Sequence, residues 1–507
     1  AAAITRLTQL QSNTASPVIY WFRQDLRLDD LPGLNAAFAT GRPVLACYIL
    51  DDDSPGDWAL GGASRWWLHH SLTSLAMDVE KRGGQLHLSR GRPDKILAQL
   101  ADSTGADLIC CSRQYEPWAR LLEEQLHDAL LRTGVELKRY SGSLLWEPES
   151  IKNKAGTPFK VFTPFWRKCR ALPVAEISTP RAEFVTWSTY KPSSSRIEDL
   201  ELLPVMPNWA PSWEQLWQPG EQGAVRKLKA FMRGAIAQYD KGRNYPARGA
   251  TSGLSPHLHF GEIAPHRIFR TVREAELANP ELDNEAEKFL SELGWREFSH
   301  HLLFHFPTMP THAFKSDFAA FPWVGGLDAL TAWQQGKTGY PIVDAGMREL
   351  WQTGYMHNRV RMVAASFLCK HLLIDWRSGQ RWFWDTLVDA DLANNACGWQ
   401  WVAGSGADAS PYFRIFNPTT QAQKFDGDGD YLRRWLPELA ALPNKFLHQP
   451  VSAPTGVLDD AGVILGETYP FPIVDHRDAR GAALAAYADM KSGQSNDTDV
   501  KFKGEMQ

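Results

Sequence analysis

The segment Asp389-Ala390-Asp391-Leu392-Ala393-Asn394-Asn395-Ala396-Cys397-Gly398-Trp399-Gln400-Trp401 packs two acids, two Asn amides and two indoles into thirteen residues. Burying that many polar groups is costly unless a ligand satisfies them, so the segment reads as a polar ligand site rather than plain packing. Met356-His357-Asn358-Arg359-Val360-Arg361-Met362 sets a polar head on an otherwise apolar helix. In Glu292-x-x-Trp295-Arg296-Glu297-Phe298, helical spacing places Glu292, Trp295 and Arg296 on one face. A carboxylate beside an indole and a cation suits either a structural network or the polar edge of a base. Upstream, Tyr239-x-x-x-Arg243-x-Tyr245-Pro246 leads into Thr251-Ser252-Gly253-Leu254-Ser255-Pro256. The hydroxyls and backbone N–H groups of that turn suit an anion or a helix cap.

Generic motifs fail on their spacing. Gly336-Lys337-Thr338 ends like a phosphate loop, but Thr331 stands where its first Gly belongs. Gly404-x-Gly406-x-x-Ala409 lies in a helical region rather than after a strand, which makes these packing glycines. Asp426-Gly427-Asp428-Gly429-Asp430 starts like a calcium loop, but Tyr431 holds the position that requires Gly. Neither H-E-x-x-H nor G-x-S-x-G occurs, so hydrolase and metalloprotease readings lose their supports. The six cysteines show no metal-ligand spacing and read as reduced, mostly buried thiols, with no metal expected.

These side chains need elements to position them. Over 17–146, β-rich runs at 18–22, 44–50, 86–88, 108–111 and 136–140 alternate with helical runs at 34–40, 64–82, 93–103 and 117–133. Such alternation predicts an α/β domain, a doubly wound parallel sheet covered by helices. Where G-x-G-x-x-G would close the first strand stands Trp21-Phe22-Arg23-Gln24-Asp25-Leu26-Arg27, so the usual nicotinamide fingerprint is absent. Six prolines between Pro180 and Pro219, with Ser193-Ser194-Ser195 among them, mark a linker over 147–225. From 226 to 487 the pattern is helical. Both 289–303 and Val360-x-x-Val363-Ala364-x-x-Phe367-Leu368-x-x-x-Leu372 keep a 3.6-residue period, and the residues after 487 read as a flexible tail, 488–507.

The 507 residues carry a formal net charge of −4, with 44% hydrophobic and 22% charged residues, the balance of a soluble globular protein. No apolar run approaches the ~18 residues of a membrane span, and the first sixteen residues lack the apolar core of a secretory signal. A cytoplasmic protein is the expectation. The global acidity conceals basic stripes: seven Lys/Arg against one Asp over 226–248, and five against one over 359–381. Interleaved with Phe231, Tyr239, Tyr245, Trp376 and Trp382, they suit a phosphate-tracking groove or a solvated charged face. The 21 Trp ask for more than core filling.

Together these segments resemble the photolyase/cryptochrome family, and within it the bacterial class I and class III enzymes that repair cyclobutane pyrimidine dimers. The likeness runs from Trp21-Phe22-Arg23-x-Asp25-Leu26-Arg27-Leu28 through Val161-Phe162-Thr163-Pro164-Phe165 and Gly336-Lys337-Thr338-Gly339-Tyr340-Pro341-Ile342-Val343-Asp344-Ala345 to Phe413-Arg414-Ile415-Phe416-Asn417-Pro418. It implies an α/β antenna domain and a large all-α domain that binds FAD, active as reduced FADH⁻. Tyr239, Thr251, Ser252, Gly253, Leu254, Ser255, Phe289, Glu292, Arg296, Asn358, Arg361, Asp389, Ala390, Asp391 and Asn395 would hold that cofactor, with Arg361 paired to Asp389 and Asn395 at flavin N5. Glu292 and Asn358 would hydrogen-bond a flipped-out dimer, Met362 would touch it, and Trp295 and Trp401 would stack on its bases. Arg243, Arg359 and Arg414 would bind DNA phosphates. Trp323, Trp376 and Trp399 match the family's chain of electron-carrying tryptophans. The implied reaction is light-driven: the flavin lends an electron to the dimer, the cyclobutane ring splits, and the electron returns. The implied partner is UV-damaged DNA, met by a monomer with no obligate protein partner and no membrane.

Two parts depart from the family pattern. Tyr115-Glu116-Pro117 is followed by Trp118-Ala119 rather than an Asn-Glu pair, and Gly61-Gly62-Ala63 stands where a His is expected before Ser64. A folate held differently, a deazaflavin, or no antenna chromophore all stay open. Among rival functions, a cryptochrome photoreceptor is disfavoured by Asn395, where receptors resemble this motif with Asp or Cys. Repair of (6-4) photoproducts is disfavoured because Asn358 follows His357 in place of a second His. A flavoprotein oxidoreductase that merely binds DNA would turn over in the dark.

Overall fold

Five runs form strands, β1 (Val18–Phe22), β2 (Val44–Leu50), β3 (Leu86–Arg90), β4 (Leu108–Ser112) and β5 (Glu136–Tyr140), of which β1, β2 and β4 are dominated by aliphatic, aromatic and Cys side chains. They pair in parallel in the order β3-β2-β1-β4-β5, with Ile19 beside Leu45 on one side and Ile109 on the other. β1 and β2 are buried along their whole length, as central strands of a sheet covered on both faces must be. Between the strands run α1 (Pro32–Ala39), α2 (Gly62–Lys81), α3 (Pro93–Thr104) and α4 (Pro117–Leu131). Three of them begin on Pro, whose fixed φ and missing N–H suit the first turn. Leu97 and Leu100 of α3 and Leu122, Leu126 and Leu130 of α4 bury against Ile19, Trp21, Leu45, Ile49, Ile109 and Leu137. The structure, a computed structural model, describes residues 16–177 and 185–504.

The chain divides into two compact units, one formed by 1–159, 163–237 and 252–307, the other by 160–162, 238–251 and 308–507. This division cuts across the boundaries expected at 147 and 226. The expected linker carries a helix, Phe162–Arg170, and an extended strip where Val44 N donates to Thr186 O (2.9 Å) and Ser188 N to Val44 O (2.8 Å). Its residues 178–184 lie outside the described residues. The first unit also holds α5 (Glu221–Arg233) and α6 (Asp283–His305), the same unit as the sheet. Aromatic packing, as where Trp67 meets His257 (5.1 Å) and lies parallel to Phe260 (6.3 Å), and single polar ties together join its parts. Leu26 N donates to Phe260 O (3.0 Å), and Arg27 Nη1 to Gly261 O (2.9 Å). Gly261 has φ +66° and lies so close to the chain after β1 that a Cβ there would meet Gln24 O at 2.0 Å. Trp67 Nε1 donates to Glu262 Oε1 (2.9 Å).

Glu297 makes the same kind of tie. Its Oε2 accepts from Leu145 N (2.9 Å), and Arg296 reaches its Oε1 at 3.3 Å. Burial pushes its carboxyl up to about 7, against the pull of Arg296 and His300. A raised carboxyl favours the folded state while protonated, a contribution present below pH 4.5 and lost as pH rises through about 7. The melting temperature of Glu297→Gln should therefore fall less between those pH values than that of the parent. Parallel melting curves would refute this assignment.

The second unit contains α7 (Pro341–Thr353), α8 (Asn358–Ser366), α9 (Trp376–Thr386), α10 (Leu392–Ala403) and α11 (His476–Gly504). Two expectations are corrected here. The helix expected through Leu372 stays α-helical only to Ser366 and then widens into a π-helical turn, Phe367–His371. The tail expected over 488–507 is helical to Gly504, because the Ala-rich run 482–488 carries α11 past Tyr487 with no proline to stop it. Residues 505–507 lie outside the described residues. Among the described residues no helix is long and apolar enough to cross a membrane, and no three His, Cys, Asp or Glu gather to hold a metal ion.

Candidate active site

Two helices of the second unit build one cleft by the same spacing. On α8, Asn358, Arg361, Met362 and Ala365 follow at i, i+3, i+4 and i+7; on α10, Asn395, Gly398, Trp399 and Val402 do the same. Phe383 of α9, Leu387, Asp389, Ala390, Asp391 and Asn394 complete the lining.

Both helix starts are fixed by side chains. His357 Nδ1 accepts from Arg359 N (3.2 Å) at the head of α8. Burial pushes His357 down to about 4, with Arg361, Arg359 and Arg243 acting the same way, so at neutral pH its ring is uncharged and free to accept. Asp391 caps α10: its Oδ1 accepts from Asn394 N (2.8 Å) and Asn394 Nδ2 (2.9 Å). Asn395 Nδ2 donates to Gln380 O (3.0 Å), which fixes its amide.

Arg361 and Asp389 form a two-pronged pair, Nη1 to Oδ1 at 3.1 Å and Nη2 to Oδ2 at 2.9 Å. Arg361 also donates from Nε to Met356 O (2.6 Å) and lies over the Tyr355 ring. Burial works to lower the guanidinium pKa, but Asp389 and Tyr355 hold it raised and charged. Trp399 is 2% exposed, with ring neighbours Phe383 at 4.9 Å and Trp333 at 6.1 Å. α9 can approach it only because residue 379 is Gly; a Cβ there would lie 2.0 Å from the indole. Trp399 Nε1 is buried with no acceptor among the described residues.

Other expected residues of this unit fall around the cleft's elements. Trp376 is buried at the start of α9 with the Arg377 guanidinium 4.8 Å from its ring, and half-buried Trp323 packs on Phe321 at 4.4 Å. Trp401 is half-buried on α10. The interleaving of cations with aromatics is realised: Arg243 over Tyr239 (5.4 Å), Arg248 over Tyr245 (3.9 Å), and Arg359 and Lys424 over Phe425 (4.4 and 5.3 Å). Arg359 Nη2 also donates to Asn244 Oδ1 (2.5 Å). One member of the second basic stripe is not on the surface, because Lys370 is 1% exposed. The loop that starts like a calcium site uses Asp426 instead to accept from Tyr431 N (3.0 Å) and Leu432 N (2.9 Å).

The remaining expected residues belong to the first unit. Ser252 Oγ accepts from Leu254 N (3.3 Å), and the short helix Ser255–His259 starts at Leu254 with no side-chain cap, so the turn is not used as a side-chain cap. Phe289 packs on Phe231 (4.6 Å) and Trp295 on Phe298 (5.7 Å). Glu292 pairs with Lys288 (3.2 Å). Sequence reasoning found Asn394 only as one of the two amides of its segment and missed Ala365, Phe383, Leu387, Gly398 and Val402 of the lining. Repeating the i, i+3, i+4, i+7 spacing from Asn358 and Asn395 finds Ala365, Gly398 and Val402; Phe383 and Leu387 carry no such signal.

Comparison with known proteins gives matches over nearly the whole chain. Residues 18–182 match the family model described as DNA photolyase, and 289–489 the one described as FAD binding domain of DNA photolyase. A deoxyribodipyrimidine photo-lyase of Agrobacterium fabrum is 50% identical over 478 residues, 94% of this chain and 98% of that protein. Cryptochrome-1 of Arabidopsis thaliana is 37% identical over 489 residues, 93% of this chain and 70% of that protein. The crystal structure of a bacterial class III photolyase from Agrobacterium tumefaciens superposes with a TM-score of 0.90 at 49% identity, covering 94% and 98% of the two chains.

Proposed function

The chain belongs to the DNA photolyase family, and from that premise we propose that it is a deoxyribodipyrimidine photolyase, an enzyme that uses blue light to split cyclobutane pyrimidine dimers in DNA. The observation that carries this reading is the cleft between α8 and α10, whose lining meets the needs of a flavin. Phe383, Leu387, Ala365 and Val402 give apolar walls. The Arg361–Asp389 pair and two Asn amides give a polar edge, and the Trp399 N–H lacks an acceptor among the described residues. Asn358, Arg361, Asp389, Ala390, Asp391 and Asn395 would hold FAD there, with Tyr239 and Thr251 contributing from the same unit. When bound and reduced, FAD supplies the photochemistry, the loan of one electron to the dimer.

The chain's own groups do the rest in this reading. Arg361 and Asp389 form a neutral, rigid pair, so the site gains dipoles without net charge. Asn395 offers an amide that donates or accepts without ionising. Asn358 and Met362, on the same face of α8, meet the lesion, and half-buried Trp401 offers it a stacking face. Glu292 and Trp295 carry the corresponding roles on the sequence resemblance. Arg243, Arg359 and Arg414 take DNA phosphates, which makes affinity fall with salt. The protein acts on UV-damaged DNA as a cytoplasmic monomer, and a folate held differently, a deazaflavin or no antenna all stay open for a second chromophore. Under blue light, an oligonucleotide with a cyclobutane dimer should be restored while one with a (6-4) photoproduct stays unchanged. Restoration of the (6-4) lesion alone would reverse the assignment.

A further inference from the structure

Lys370 has no place in the reading so far. It lies in the π-helical turn Phe367–His371 and is 1% exposed. Among the described residues no carboxylate pairs with it. Its Nζ donates to the Arg414 carbonyl (2.9 Å) and lies 5.1 Å from the centre of the Tyr412 ring. Burying an ammonium without a counter-ion is costly, so such a lysine persists where its hydrogen bond is needed. π-Turns inside helices are rare and cluster at functional positions; this one interrupts a sequence whose apolar period would otherwise continue as α-helix.

The segment it grips turns two side chains outward. Tyr412 is 3% exposed and anchored against Phe321 (5.3 Å) and flat against Tyr487 (4.7 Å, 8°). The next residue, Phe413, is 66% exposed, and Arg414 is exposed beside it. The loop's own backbone bonds, Arg414 N to Pro411 O and Ile415 N to Phe413 O (both 3.0 Å), are local to it. Lys370 is thus the side chain that ties the Arg414 backbone to the helical core.

We propose that Lys370 is a positioning residue for DNA binding: its ammonium clamps the Arg414 carbonyl and holds the 411–415 loop so that the Arg414 guanidinium meets a DNA phosphate. This rests on the reading of Arg414 as a phosphate contact. The alternative is a lysine that merely stabilises the fold, and the two differ in what they do to salt dependence. Burial lowers the Lys370 pKa to about 8, with Cys369 opposing and Arg414 reinforcing, so the clamp is mostly charged at neutral pH.

The test is a thermodynamic cycle on the FAD-loaded protein with a dimer-containing oligonucleotide. Lys370→Met should weaken binding by about tenfold, the scale of one charge-assisted contact. It should also lower the slope of log K against log salt by about 0.9, one phosphate contact. FAD content and kcat at saturating DNA should stay as in the parent, with the loss appearing in KM. Arg414→Ala should show the same two losses, and the double variant should lose no more than either single one. Lys370→Gln, which keeps an N–H donor, should lose less than Lys370→Met; if the Met variant does not fold, the Gln variant carries the same cycle. Multiplying losses in the double variant, or an unchanged salt slope in Lys370→Met, would overturn the proposal while leaving DNA binding by Arg414 in place. An Arg414→Ala protein that binds as the parent does would instead remove the reading of Arg414, and the proposal with it.

Discussion

Replacing Trp399 with Phe should slow photoreduction of the oxidised flavin by at least about tenfold while leaving repair by chemically reduced protein nearly intact. The split follows from what the ring is asked to do. An indole gives up an electron far more readily than a phenyl ring, so Phe removes the donor. Phe fits within the indole's space and keeps an aromatic ring beside Phe383 and Trp333, leaving only the room next to Gly379 that the indole filled. Repair itself asks nothing of Trp399 beyond lining the cleft. Transient absorption of oxidised protein and steady illumination of dithionite-reduced protein read the two arms separately. Equal photoreduction in variant and parent would contradict the role, and parallel loss of both activities would make Trp399 a packing residue.

The second large effect is expected at Asp389. Asp389→Ala leaves the Arg361 guanidinium, 22% exposed at its side chain, without its carboxylate. Removing one partner of a largely buried pair costs about 3 kcal/mol, because the survivor stays desolvated. If that penalty falls on cofactor binding, flavin affinity drops by about 150-fold, and the protein should purify nearly colourless. Arg361→Met with Asp389→Leu removes both charges and should recover thermal stability but not flavin content. The flavin-to-protein absorbance ratio and the melting temperature check both statements. An Asp389→Ala protein with the parent's flavin content and melting temperature would show that the pair is incidental.

Much of the cleft was legible because helical spacing is a local property. Asn358, Arg361 and Met362, and Asn395 and Trp399, fall on single faces of α8 and α10 by position in sequence alone. Parallel strands were equally legible from β-rich runs alternating with helical ones. The division into units was not. Residues 252–307 read as helices whichever core they join, and what joins them to the sheet includes polar ties, such as Arg27 to Gly261 O and Glu297 to Leu145 N, beside the packing of Trp67 on His257 and Phe260. Hydrophobic periodicity carries no trace of such ties. The π-turn stayed hidden for a related reason: Phe367, Leu368 and Leu372 keep an apolar rhythm that suits an unbroken helix. Lys370 looked like one more surface cation because a count of charges says nothing of where each side chain goes.

The central claim is that this chain is a light-driven enzyme and not a dark flavoprotein or a receptor. The direct measurement uses purified, flavin-loaded, chemically reduced protein and an oligonucleotide with one thymine dimer, and follows the return of thymine absorbance under blue light and in darkness. Restoration in light and none in darkness is the predicted result. A dimer left unchanged under illumination, or restored equally in the dark, would contradict it.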